Sequence, residues 1–305
     1  MKFAVLLLCV IFAAGCSGTE QTASNTAPKK DERVEKLDKQ KDAVVRFFEP
    51  MVIHDGDWLV SQKEAGETFE EYIASNPTLP TAERRTIYIQ PIGTFSGEQK
   101  RVIQLTADYM KAFYNLPVKL NREMPLGNVP KGKSRKIEYR NNLQIRTNYF
   151  LDDVLPKMLP KDAAAFIAFT NYDLYPGETW AFVFGQASFE NRVGVYSLYR
   201  FADPRGRVDT NLLLSRTLKI AMHETGHMFS MKHCIKYECL MSGTNNLDET
   251  DRRPLDDCPE CMAKVAWAMK YDPVERYNNL AAFWKKNGRP EEARLMLEKA
   301  KAVSK

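Results

Sequence analysis

Residues 223–233 read His223-Glu224-Thr225-Gly226-His227-Met228-Phe229-Ser230-Met231-Lys232-His233. His223 and His227 are four apart, so on a helix both imidazoles project from one face, one turn apart. Two imidazoles placed this way hold one Zn²⁺, and Glu224 beside them can take a proton from a metal-bound water. Zinc lowers the pKa of that water toward ~7 and polarises a carbonyl. His233, six residues on, supplies a third ligand if the chain turns sharply after the helix. One coordination position then stays open, as a catalytic zinc site requires. Three of the chain's four histidines lie in these eleven residues, a spacing that scattered core or solvated histidines do not explain. The fourth, His54, has nothing around it that suggests a role.

Outward from this run the pattern gives the fold class. Before it, Leu214, Leu218, Ala221 and Met222 fall on neighbouring faces, so the chain after Asn211 is predicted to be a helix. Further back, residues 86–90 alternate as a strand. Residues 97–114 carry Val102, Leu105, Tyr109 and Phe113 at helical spacing. Residues 118–120 form a short strand, residues 148–158 a helix, and residues 163–169 a continuous apolar run of the kind a buried strand has. Residues 180–184 and 193–201, rich in aromatic and β-branched side chains, are two more strands. The segment 180–188 is expected to include the edge strand above the metal, to which an extended peptide adds by main-chain hydrogen bonds. The predicted class is α+β: a mixed twisted sheet backed by helices, with an active-site helix and a small zinc-bound C-terminal subdomain.

After the histidines come four cysteines, Cys234, Cys239, Cys258 and Cys261, spaced C-x4-C and C-x2-C. Thiolate pairs at these spacings form the two jaws of a closed, structural zinc site. The competing reading is two short-loop disulfides, which an exported chain permits. A C-x2-C disulfide restrains little of the unfolded chain, and Cys234 directly follows the ligand His233, so zinc is the expectation. The predicted cofactors are two Zn²⁺, one catalytic and one structural.

The run from His223 to Cys261 resembles the archaemetzincins, zinc peptidases of the metzincin type that join three histidines to a following C-x4-C-x-M and a later C-x2-C. Residues 87–93 (Ile-Tyr-Ile-Gln-Pro-Ile-Gly), 170–174, 182–185 (Phe-Val-Phe-Gly), 193–200 and Arg253-Pro254-Leu255 are similar to that family too. The resemblance covers residues 50–272. It implies a metzincin-like catalytic domain, peptide-bond hydrolysis with Glu224 as general base, a peptide or protein substrate, and Met241 in a turn beneath the catalytic zinc. It does not supply the substrate. The metzincin pattern has glycine where this chain has Ser230, and serine in the left-handed conformation that ends such a helix costs on the order of 1 kcal/mol. The alternative from another class is a catalytically inactive, zinc-stabilised peptide-binding or scaffold lipoprotein. The intact Glu224 argues against it, since a pure binding site needs no base.

The flanks complete the organisation. Lys2 and the apolar residues 3–14 read as a signal peptide, residues 1–15, too short to span a bilayer. Ala13-Ala14-Gly15-Cys16 resembles a bacterial lipobox, which implies lipidation at Cys16, export, and anchoring to the cell envelope, at an outer membrane if the cell has one. Residues 16–49, polar and then densely charged, read as a solvated tether, in which residues 30–45 have the spacing of a helix with a thin apolar face. Residues 273–305 read as two helices around Asn287-Gly288, a hairpin that must pack on the catalytic domain because it cannot stand alone. The 305 residues are 44% hydrophobic and 27% charged, with 44 basic and 39 acidic side chains spread along the chain. With no clustered basic stripe, nucleic acid is excluded as a partner.

Overall fold

The computed structural model describes residues 31–137, 142–201 and 209–305; the signal sequence and Cys16 lie outside the described residues. Strands β1 (Thr86–Ile92), β5 (Ala163–Thr170) and β8 (Val193–Ser197) are buried along their whole length. Each is covered on both faces, and residues 163–169 of β5 accordingly read as a continuous apolar run. The main sheet has the order β2-β1-β5-β8-β7, with β2 at Val118–Leu120 and β7 at Gly185–Ala187. All its pairs are parallel except β7 against β8.

Side chains alternate between two cores. Ile87, Ile89, Ala165 and Ile167 face helices α4 (Gly97–Tyr114) and α6 (Thr210–Met228). Tyr88, Phe166, Val193 and Val195 face Phe150 and Leu155 on the other side. Both long helices are capped as their sequences require. Ser96 and Gln99 form a reciprocal capping box on α4, and the Asp209 carboxylate accepts the Leu212 N–H on α6.

The strands and helices read from the sequence recur in the same order, with four differences. A second sheet, β3 (Ser134–Ile137), β4 (Asn142–Arg146) and β6 (Asp173–Tyr175), has no alternation strong enough to read. Residues 180–184 are not a strand. Arg135 donates to the Trp180 and Ala181 carbonyls and Gln144 to Ala181, a single backbone bridge joins Val183 to Leu174, and regular pairing begins at Gly185. Residues 148–158 form a π-helical turn, Tyr149–Val154, running into α5 (Leu155–Met158). Finally, the second half of the predicted tether belongs to the body. Helix α1 (Glu32–Val44) buries Val34, Leu37, Gln40 and Val44. Gln40 stands where an apolar residue would have completed the stripe, and its amide reaches the Val303 carbonyl at 3.0 Å and Asp272 at 3.1 Å.

The remaining helices pack largely on one another and on α4 and α1. They are α2 (Trp58–Ser61), α3 (Phe69–Ala74), α7 (Leu247–Arg252), α8 (Pro259–Met269), α9 (Pro273–Lys286) and α10 (Pro290–Val303). The C-terminal hairpin, α9 and α10, packs on α4 and α1 and is part of one compact unit, Glu32–Lys305. Among the described residues no helix is long and apolar enough to cross a membrane.

Candidate active site

Helix α6 carries His223 and His227, and its C-terminus places His233. The Ser230 N–H donates to the His227 carbonyl at 2.8 Å and the Met231 N–H to the Gly226 carbonyl at 3.1 Å. This is the paired bonding of a Schellman turn, with Ser230 as its left-handed residue at φ +64°. The strain is offset by the hydroxyl. Ser230 Oγ accepts the Thr78 N–H at 3.0 Å and donates to the Phe189 carbonyl at 3.3 Å. A glycine could make neither bond.

The turn brings the three imidazoles together, with ring centroids 4.6, 5.1 and 4.9 Å apart. Each Nδ1 has its own acceptor: the Leu240 carbonyl for His223 at 3.0 Å, the Met231 carbonyl for His227 at 2.6 Å, and the Glu64 carboxylate for His233 at 2.9 Å. Protonation at Nδ1 leaves the Nε2 lone pairs of all three rings to converge. Nε2 of His223 and Nε2 of His227 approach to 3.0 Å. Lone pairs at that distance repel unless a cation lies between them, so this donor set fits a zinc ion. Burial pushes His223 down to about 3, with the charge of His233 adding to the effect, and pushes His227 well down too. Both rings are therefore neutral, as ligands must be, at physiological pH.

Glu224 is 7% exposed and lies over the edge strand. A Cβ on Gly185 of β7 would meet the Glu224 carboxylate oxygen at 2.7 Å, so the missing side chain makes the room the carboxylate occupies. Burial pushes the Glu224 carboxyl up to about 8. Histidines and carboxylate open into a cleft of 480 Å³ walled by Trp58, Trp180, Phe182 and Phe189. Trp58 stands edge-on to His233 and stacks on Trp180, and Phe189 packs against His227.

The four cysteines form one cluster. Together with no other described residue, Cys234, Cys239, Cys258 and Cys261 bring their sulfurs within 4.8 Å of one another, and all four are buried free thiols. The Cys239 sulfur accepts the N–H groups of Met241 at 3.4 Å and Cys258 at 3.3 Å. Cys258 is the N-cap of α8 and Cys261 lies in its first turn, where the helix dipole favours thiolate. Four buried sulfurs with such donors fit a closed tetrahedral zinc site.

The two clusters share backbone. Cys234 follows His233. Leu240, whose carbonyl orients His223, lies between Cys239 and Met241. The Cys234 N–H donates to the Met241 carbonyl at 2.8 Å, closing the loop on itself. Met241 packs under α6 where Gly226 lacks a side chain; a Cβ there would meet the Met241 sulfur at 2.5 Å. Outside both clusters, His54 is exposed.

Glu64 and Gly185 were not singled out as site residues by the sequence. Glu64 sits in a loop 169 residues before His233. Its burial raises its carboxyl pKa, but the hydrogen bond and charge of His233 outweigh this and hold it below the usual value. Only the fold joins it to the histidines. Gly185 closes the Phe-Val-Phe-Gly run, a signal visible in sequence without its meaning.

The model of peptidase family M54 matches residues 134–266. Archaemetzincin-2 of Homo sapiens is 36% identical over 268 residues, covering 77% of this chain and 74% of its own length. Archaemetzincin-1 of Mus musculus is 30% identical over 274 residues, covering 78% of this chain and 54% of its own. The crystal structure of archaemetzincin from Methanopyrus kandleri aligns with 63% of this chain and 98% of its own, at a TM-score of 0.50 and 25% identity.

If the Ser230 hydroxyl offsets the strain of the turn, Ser230→Ala should destabilise the protein by about 1–2 kcal/mol, because it keeps the left-handed backbone and orphans the Thr78 N–H. Ser230→Gly should stay within about 1 kcal/mol of the parent, since it relieves strain as it loses the bonds. Denaturant unfolding measures both; equal stability of the alanine variant and the parent would show that the hydroxyl contributes nothing.

Proposed function

The chain belongs to peptidase family M54, the archaemetzincins, and is a zinc metallopeptidase; from that premise we propose that it hydrolyses peptide bonds with Glu224 as general base and holds two zinc ions. The observation that carries this reading is the convergence of three Nε2 atoms, each fixed by an Nδ1 partner, beside a buried carboxyl.

His223, His227 and His233 would hold the catalytic ion, and Cys234, Cys239, Cys258 and Cys261 the structural one. Zinc bound by the histidines supplies a Lewis acid that polarises the scissile carbonyl and acidifies water. Glu224 accepts the proton of the attacking water and returns it to the leaving amine. Glu224 is buried beside the histidines at the open edge of the sheet, where one carboxylate can carry the proton in both transfers. Met241 fills the space beneath α6 and keeps the histidine face from sinking.

Strand β7 presents the substrate. It ends the main sheet, and among the described residues β8 is its one partner strand. Ser197 N–H bonds to the Phe184 carbonyl and Ser188 N–H to the Val193 carbonyl. By the alternation of an antiparallel ladder, the backbone groups of Gly185 and Ala187 therefore point to the open edge. An extended peptide paired there runs past Glu224, with Trp58, Trp180 and Phe189 excluding water around it. An inactive binding scaffold would have no use for a carboxyl given room by a glycine.

We infer further that the protein is exported and lipidated at Cys16, on the strength of its lipobox-like sequence. Cys16→Ser should move it from the membrane to the soluble fraction; retention in salt-washed membranes would count against lipid anchoring.

Elemental analysis of the native protein should give two zinc ions per chain. Glu224→Gln should keep both and lose peptide hydrolysis by a factor of about 100 or more, the range of a general base. Undiminished turnover in that variant would remove Glu224 from the mechanism.

A further inference from the structure

Lys219 stands one helical turn before His223, on the α6 face that carries both helix histidines. It lines the same cleft, as do Leu240, Ser242, Thr244 and Thr250. It is 8% exposed. Its Nζ donates to the carbonyls of Thr250 and Asp251, both at 2.9 Å. An ammonium has three donors, so these bonds use two.

What Lys219 lacks is a counter-ion. Among the described residues no carboxylate oxygen lies within the 4.0 Å of an ion pair with its Nζ. The Asp251 carboxylate is taken by Arg216, at 2.6 Å. The other cation lining the cleft, Arg253, is already paired with Glu238 and with Glu249. Among the described residues lining the cleft, Glu224 is the one carboxylate. A buried charge without a partner is costly, and burial does push Lys219 down to about 8 despite the raising field of Asp251. That leaves it largely protonated at neutral pH.

Resting on the peptidase reading above, we propose that Lys219 is a specificity-determining residue that receives a carboxylate of the substrate peptide. The carboxylate is either an acidic side chain near the scissile bond or the α-carboxylate of a chain that ends in the cleft. Either would supply the missing counter-ion and the third hydrogen bond. A purely structural Lys219, capping the last carbonyls of α7, would give the enzyme no preference for charge on the substrate.

The test uses the zinc-loaded full chain carrying Glu224→Gln, which binds without turnover. Alanine-based hexapeptides carry a single Glu, or Gln in its place, at each position in turn, with a free or amidated C-terminus. Calorimetry should show one Glu position, or the free C-terminus, tightening Kd about tenfold or more over its neutral counterpart. The arm that shows the gain identifies the source of the carboxylate. Adding Lys219→Met should abolish the gain, so that each charged peptide and its neutral counterpart bind alike. If that variant does not fold, the Glu-against-Gln comparison on the Lys219 protein still decides. Equal affinities throughout, or a gain that survives Lys219→Met, overturn the proposal. Hydrolysis of the same peptides by the unmutated enzyme runs in parallel. Turnover with no charge preference removes the role of Lys219 and leaves the peptidase standing, whereas neither binding nor turnover of any peptide removes both.

Discussion

The site depends on a short loop pinned at both ends by sulfur. His233 must face two histidines that a helix places for it, yet it lies beyond the turn that ends that helix. Glu64 orients its ring, and its backbone is held through Cys234, the next residue, whose sulfur sits within 4.8 Å of those of Cys239, Cys258 and Cys261. The same cluster fixes Cys239, and through the next two residues it fixes the carbonyl that orients His223 and the methionine beneath the helix. One cluster thus bears on the position of His233, the tautomer of His223, and the floor of the cleft. Rigid support of this kind is what a catalytic constellation needs to keep its geometry.

The support extends outward through charge. Asp256, two residues before Cys258, is buried and clamped by Arg276 of α9 and Lys299 of α10, both at 2.7 Å. Its carbonyl accepts the Leu240 N–H at 3.1 Å. The C-terminal hairpin therefore reaches His223 through two residues, Asp256 and Leu240. On the opposite side, Pro50 bridges to Tyr237 in the loop between the first two cysteines, and Glu49 accepts the Glu238 N–H at 2.9 Å. Segments that look peripheral in the sequence, residues 32–52 and 273–305, brace the metal-binding loop.

This explains what could and could not be read from the sequence. The histidines and cysteines were legible because ligand spacing is local: a helix turn, a C-x2-C at a helix start. The buried strands were legible because both their faces are apolar. Glu64 was not, because its partner is 169 residues away and only the fold joins them. Helix α1 reads only as a thin-faced helix within a tether, because Gln40 interrupts its apolar stripe and is satisfied by groups near the far end of the chain. Ser230 could be seen as a departure, but its compensation could not, since Thr78 and Phe189 come from separate loops. Local chemistry writes itself into spacing, whereas the second layer of contacts does not.

The central claim, that the cysteine cluster holds the catalytic histidines, can be tested on the metal itself. Cobalt(II) reports the two sites separately, because thiolate ligands give it charge-transfer bands that imidazoles do not. The decisive measurement is the cobalt affinity of the three-histidine site in the parent chain and in one with Cys258 and Cys261 both replaced by serine. All three histidines are intact in each. The account predicts weaker binding by about tenfold or more in the double variant, the scale expected when groups that orient metal ligands are lost, with the sheet still folded. An unchanged affinity in a folded double variant would contradict it.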